Sequence, residues 1–171
     1  RTQVAVFFII PQAMDIALHK GLCRYTNEVV GKTEGDPREM QTFEEVKEAI
    51  YDEIRYLMRM ANERENVEMI AERDLFPDVF RSALMKDGVK CGHDMFDRRF
   101  QFENGAVLGA VGGVNTGNAL YAMKKLVFDE KKYTMAQLLD ALDADWEGYE
   151  EMQADFKAQP KYGNNIKEVD D

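Results

Sequence analysis

Residues 105–128, GAVLGAVGGVNTGNALYAMKKLVF, constrain what this chain can fold into more than any other stretch. The first half is apolar, β-branched in places and interrupted by glycines at 105, 109, 112, 113 and 117. That pattern predicts a buried strand at 105–111 running into a loop where backbone comes close to another element. The second half predicts an amphipathic helix over 116–128. Ala119, Leu120, Met123, Leu126 and Val127 share one face, Lys124 and Lys125 face outward, and Thr116 or Asn118 can cap the start. A glycine-rich turn between strand and helix suits a ligand, because the first N–H groups of the helix are free. The glycine spacing fits neither a dinucleotide fingerprint nor a P-loop, so a nucleotide loop is excluded. Close packing of strand and loop in a barrel or sheet explains the same glycines.

The rest of the chain reads as mainly helical. Residues 2–20 are expected to form a mostly buried helix, with Pro11 kinking it or marking its true start, and Gly21 stopping it. Residues 23–41 read as loop. Thr42-x-x-Glu45 is a capping box opening the longest helix, expected over 43–73, with polar residues 62–66 as a point where it could break. A further helix is expected from Pro77 to Gly88, and loop with a little strand over 94–104. Thr134-x-x-Gln137 is a second capping box, and a last helix is expected over 146–157, ended by Pro160.

Composition narrows the function classes. With 45% hydrophobic and 11% aromatic residues, 171 residues can bury a core, which excludes general disorder. The net charge of −10 offers no nucleic-acid face. The segment at 4–10 is too short to span a bilayer and follows no basic region, so neither membrane insertion nor a signal peptide is expected. Two cysteines, Cys23 and Cys91, fit a reducing, cytoplasmic compartment better than a disulfide framework. Ten methionines suggest an adaptable core or interface. The chain starts on Arg1 rather than Met, inside an apolar segment, and reads as an internal piece of a larger protein.

Catalytic constellations are scarce. Cys91-Gly92-His93 supplies too few ligands for a metal, so no metal site is expected. Neither cysteine has a third group to build a nucleophile dyad. The pairs Glu44/Glu45 and Glu150/Glu151 sit on helix surfaces without the apolar setting that would raise a carboxyl pKa. No complete catalytic site is expected within the chain.

The C-terminal half resembles the glycyl radical enzymes. The resemblance is carried by residues 119–132 (ALYAMKKLVFDEKK), 138–142 (LLDAL), 146–150 (WEGYE) and above all 160–164 (PKYGN), in this order. Residues 17–21 and Gly35-Asp36 extend it into the N-terminal half. Asn165 stands where the family usually has Asp, and Gly117-Asn118 where it usually has Asp-Ser; the second departure argues against simple assignment to the choline-lyase or glycerol-dehydratase branches. The resemblance implies an α/β fold, with residues 1–171 a mainly helical fragment of one ten-stranded, pyruvate formate-lyase-like barrel domain, truncated at both ends. It implies a thiyl cysteine upstream of Arg1 and a radical glycine downstream of Asp171, the radical being installed by an S-adenosylmethionine-dependent activating enzyme and no other cofactor being bound.

Residues 102–106 and 145–149 look most like the hydrocarbon-activating, benzylsuccinate synthase-like branch, which adds a hydrocarbon to fumarate. That resemblance implies a small-molecule substrate pair, small accessory subunits and an oligomer. Arg1 would bind the fumarate dianion, because a guanidinium fork matches a carboxylate. Leu108, Val111 and Val114 would form part of a dry wall against the hydrocarbon. Ordinary readings stay open: Arg1 as a surface residue, the three apolar residues as barrel core. Alternatives for the whole are an arylacetate decarboxylase, or another lyase or dehydratase of the family, and a non-catalytic helical module binding a partner through Met-rich faces.

Overall fold

The computed structural model describes residues 4–95 and 107–170. They divide between two compact units, Arg1–Phe8 with Met58–Ala110, and Ile9–Leu57 with Val111–Asp171. Helices dominate the described residues, as the sequence implies.

The first element differs from expectation. Residues 4–9 (VAVFFI) form strand β1 (Val4–Ile9), and helix α1 (Ile10–Leu18) starts only where Pro11 occupies its first turn. A run in which five of six side chains are β-branched or aromatic prefers extended backbone, and proline is at home in a first helical turn. The strand's alternation shows in its end, where Phe7 and Ile9 are exposed and Phe8 is buried. β1 pairs with β4 (Val107–Val111), the strand expected at 105–111, of which residues 105 and 106 lie outside the described residues.

The stretch read as loop, residues 23–41, instead takes part in a small antiparallel hairpin of β2 (Leu22–Cys23) and β3 (Glu28–Val29), then a 3-10 turn at Pro37–Glu39. Helix α2 (Phe43–Leu75) follows without a break. Its capping box is present: Glu45 N–H donates to Thr42 Oγ1 at 3.3 Å, and Glu45 Oε2 accepts from Thr42 N–H at 3.1 Å. Residues 62–66 stay helical because Glu and Arg are good helix formers, and the pairs Arg59–Glu63 and Arg64–Glu68 run along that stretch.

The helix expected from Pro77 to Gly88 is instead two short ones, α3 (Val79–Leu84), capped by Asp78, and α4 (Gly88–Cys91). Helix α5 (Gly113–Met123) begins before the predicted start and widens after Met123 into a π-helical turn, Lys124–Asp129. Helix α6 (Met135–Asp143) carries the second capping box, with both reciprocal bonds formed. Helix α7 (Glu150–Ala158) starts later than expected, because Asp145, Trp146 and Gly148 turn through positive φ. Helix α8 (Lys167–Asp170) closes the described chain.

The core of the second unit joins α1, α2, α5, the π turn and α6. Met14, Ala17, Leu18, Val46, Ile50, Leu120, Met123, Val127, Met135, Leu138 and Leu139 are all buried. Of the predicted α5 stripe, Leu120, Met123, Leu126 and Val127 are buried, whereas Ala119 is exposed. Phe43 meets Phe128 edge-on at 6.0 Å, and Trp146 and Tyr133 both pack on Phe156.

Polar groups pin the loops to this core. Glu53, fully buried, accepts from the N–H groups of Lys32 and Thr33 and from the Thr33 hydroxyl at 2.6–3.2 Å. Gly31 sits so close that a Cβ there would lie 2.4 Å from Glu53 Oε1. Arg38 binds Asp140, Asp143 and the Ala136 carbonyl, and His19 Nε2 lies 3.0 Å from Asp143. Asp155 accepts from Lys132 and the Tyr133 hydroxyl, and these, the lysine first, hold its carboxyl below the usual aspartate range.

Two outcomes follow for the full-length protein. Glu53→Leu leaves three partly buried donors of Lys32 and Thr33 without their acceptor and is expected to cost about 1–3 kcal/mol, read as a lowered thermal midpoint. Asp155 stabilises above its unfolded pKa of about 4, and that stabilisation disappears as pH falls through the lower folded value. Asp155→Asn is therefore expected to show a smaller loss of stability between about pH 5 and pH 3 than the wild type, measured by denaturant titration.

Candidate functional site

The strand-to-helix turn at 111–117 is arranged so that backbone N–H groups and a groove lie together. Gly112 adopts φ of +81°, in the left-handed region, and caps α5 without a side chain. A Cβ at Gly112 would lie 2.5 Å from Pro11 Cδ and 2.6 Å from Pro11 Cγ. The turn thus rests directly on the first turn of α1, and the glycine is needed both for conformation and for space. The first helical bond runs from Thr116 N–H to the Gly112 carbonyl at 3.0 Å, and the Thr116 hydroxyl donates to the same carbonyl at 3.1 Å. The N–H groups before Thr116 have no partner inside the helix.

Beside this turn lies an open groove of about 370 Å³. Ile10, Ile54 and Leu120 give it an apolar lining, Gly113 and Gly117 let backbone approach, and Tyr51 and Arg55 also line it. Arg55 is already engaged by Asp52 at 2.5 Å, with Glu48 at 3.8 Å. The groove can receive a small molecule or a side chain with an apolar body.

The predicted site residues fall as follows. Val111 ends β4 and is 41% exposed, and Val114, in the first turn of α5, is 51% exposed. Leu108 belongs to β4. Arg1 lies outside the described residues, as do 102–106 of the branch resemblance. The expected caps of α5 play other parts: Thr116 lies inside the helix and bonds back to Gly112, and the Asn118 side chain accepts from Tyr162 N–H at 2.8 Å.

Cys23 is buried in the hairpin, where the Thr26 hydroxyl, more than any other group, pushes its thiol below the usual range. Cys91 is exposed at the end of α4. Among the described residues no cluster of three His, Cys, Asp or Glu could hold a metal, and no helix is long and apolar enough to cross a membrane. Glu45 is held below the usual carboxylate range by the Gln41 and Thr42 N–H groups, and Glu150 by its own N–H and that of Gly148, which are helix-start roles rather than acid catalysis.

Sequence reasoning missed Glu53 and Glu65, and gave Asn118 only as a helix cap, not as the acceptor for Tyr162 N–H. Glu65 is buried in α2 with Oε2 lacking a hydrogen-bond partner among the described residues. Burial, then Glu68 and Glu72, push its carboxyl up. A glutamate in a polar helical run carries no signal of burial; only the fold reveals it.

The geometry meets its relatives at this point. The profile of the pyruvate formate lyase-like family matches residues 1–171, and the chain belongs to that family. It is 33% identical over 158 residues to trans-4-hydroxy-L-proline dehydratase of Clostridioides difficile, covering 91% of this chain and 20% of the relative. It is 30% identical over 162 residues to isethionate sulfite-lyase of Desulfovibrio desulfuricans, covering 92% and 19%. The glycerol-bound B12-independent glycerol dehydratase of Clostridium butyricum superposes with a TM-score of 0.85 at 30% identity, over 95% of this chain and 20% of that one. The chain spans about one fifth of the length of these relatives.

Gly112→Ala tests the turn. The methyl group would strike Pro11 and hold alanine at positive φ, an expected cost of about 2–4 kcal/mol in the full-length protein. The check is a lowered thermal midpoint that Gly117→Ala, with open space around it, does not share.

Proposed function

We propose that the chain is a segment of a glycyl radical enzyme that eliminates a leaving group from a small hydroxylated substrate, as a dehydratase or lyase. One observation carries this reading: over about nine tenths of the chain, similarity runs to a hydroxyproline dehydratase and an isethionate sulfite-lyase. The glycerol dehydratase likeness supports the same chemistry and weighs against setting the chain apart from that branch. Fumarate addition, the finer assignment drawn from residues 102–106 and 145–149, has no support from these relatives, and the dehydratase or lyase alternative replaces it as the leading reading.

In this reading the segment is one part of the family's α/β barrel. The glycyl radical, set by an S-adenosylmethionine-dependent activating enzyme, supplies the hydrogen-abstracting chemistry from outside residues 1–171. The chain's own part is to shape the wall. Val111 and Val114 present apolar surface at the end of β4 and the start of α5. Gly112 lets that wall rest on α1. Arg1 is retained as a carboxylate-binding candidate, and Leu108 as wall.

The test is anaerobic activation of the full-length protein, followed by electron paramagnetic resonance and product analysis. Trans-4-hydroxyproline, isethionate, glycerol and a sulfonated diol are offered in parallel with toluene plus fumarate. The expected result is a glycyl radical signal and elimination from a hydroxylated substrate. A substituted succinate as the product, or the absence of any radical, would overturn the proposal.

A further inference from the structure

Residues 160–166 (PKYGNNI) form a loop held by a set of specific hydrogen bonds. From Tyr162 to Ile166 every residue is exposed, and none belongs to the core. Yet the loop is tied at each step. Lys161 Nζ donates to the Phe156 carbonyl at the end of α7, and Asn164 Nδ2 donates to the Lys161 carbonyl. The N–H groups of Gly163 and Ile166 donate to the two carboxylate oxygens of Asp170 at 2.7 and 3.1 Å. Gly163 and Asn165 both take positive φ. The remaining tie crosses to α5, where Asn118 Oδ1 accepts from Tyr162 N–H at 2.8 Å across 44 residues of sequence.

Holding a loop in one conformation costs chain entropy, roughly 1–2 kcal/mol per residue, and here hydrogen bonds from Asn118, Asp170 and the loop's own residues offset it. Loops fixed in that way on a rigid scaffold are where binding and catalytic surfaces are found. Asn118 lies one helical turn after Val114 on the same face of α5, so its bond brings the Tyr162 backbone to the helix face that begins at the glycine turn.

We propose that Asn118 is a positioning residue, which fixes the 160–166 loop against the opening turns of α5 so that loop and glycine turn act as one surface in turnover. Asp170 holds the same loop from its other side. The inference rests on the proposed radical chemistry only for its activity readout.

The experiment uses the full-length protein with Asn118→Leu, which removes the acceptor while keeping the branched heavy-atom shape, and Asn118→Asp, which keeps the acceptor. Amide exchange of the peptide covering 160–166, glycyl radical content after activation, and kcat and KM are measured for each. Asn118→Leu is expected to exchange about tenfold faster in that peptide and to lose about tenfold in kcat, the effect of one hydrogen bond, with radical content unchanged. Asn118→Asp is expected to restore both. Should Asn118→Leu fail to accumulate, Asp170→Asn loosens the same loop without altering α5 and is expected to give the same pattern. Wild-type exchange and kcat in the leucine variant overturn the proposal, as does an aspartate variant no better than leucine. If no radical forms even in the wild type, the preceding functional reading fails, and the exchange data alone decide this one: faster exchange in leucine, rescued by aspartate, upholds the positioning role, and unchanged exchange overturns it.

Discussion

The contact between Gly112 and Pro11 is the constraint from which the larger unit is organised. Each residue stands at a strand-to-helix junction, Pro11 where β1 becomes α1 and Gly112 where β4 becomes α5. Space for not even one methyl group remains between them. Because the junctions touch, α1 and α5 leave them side by side and pack along their length. Met14, Leu18, Leu120 and Met123 then meet in the core, and α6 adds Met135, Leu138 and Leu139 to it. A larger residue at 112 would separate the helices at their starts, where the glycine turn and its groove lie.

Apolar packing alone would leave the long connection between α1 and α2 untethered. The protein solves this with charge placed where it is fully used. Glu53 turns a buried carboxylate into an anchor for two backbone N–H groups and a hydroxyl, so the desolvation cost of the charge is offset by donors that would otherwise need water. Arg38 does the converse near the surface, gathering Asp140, Asp143 and a carbonyl of α6. These groups define the position of the loop rather than adding much net stability, since exposed ion pairs contribute little.

Much of the architecture was legible in the sequence, for identifiable reasons. The two capping boxes, Thr42/Glu45 and Thr134/Gln137, located helix starts because their bonds are local. The α5 stripe identified its buried face because helical periodicity is a property of the chain itself. The strand at 4–9 was misread because six apolar residues carry no period that separates strand from buried helix. The start of α5 was misplaced because Gly112 caps by conformation, not by a side chain. Within the site, the glycine turn was found from its composition. Glu53 and Glu65, and the role of Asn118, were not, because burial and partners 20 or more residues away leave no local trace.

The π turn at Lys124–Asp129 changes the arithmetic of the helix it ends. An α-helix advances about 100° per residue, so three consecutive residues cannot all face one core. The wider turn slows that rotation. Leu126 and Val127 are buried and Phe128 still reaches Phe43, while Lys124 and Lys125 pair five residues on, with Asp129 and Glu130, rather than four. The segment therefore holds one residue more than an α-helix of the same span would need. Removing a single residue from 126–128 would let the backbone relax to ordinary α-helical bonding with each lysine four residues from its acid, yet the core would lose one of the three consecutive side chains that the wider turn delivers to it. Chain length in this turn is a packing variable, as specific as the identity of any side chain in it.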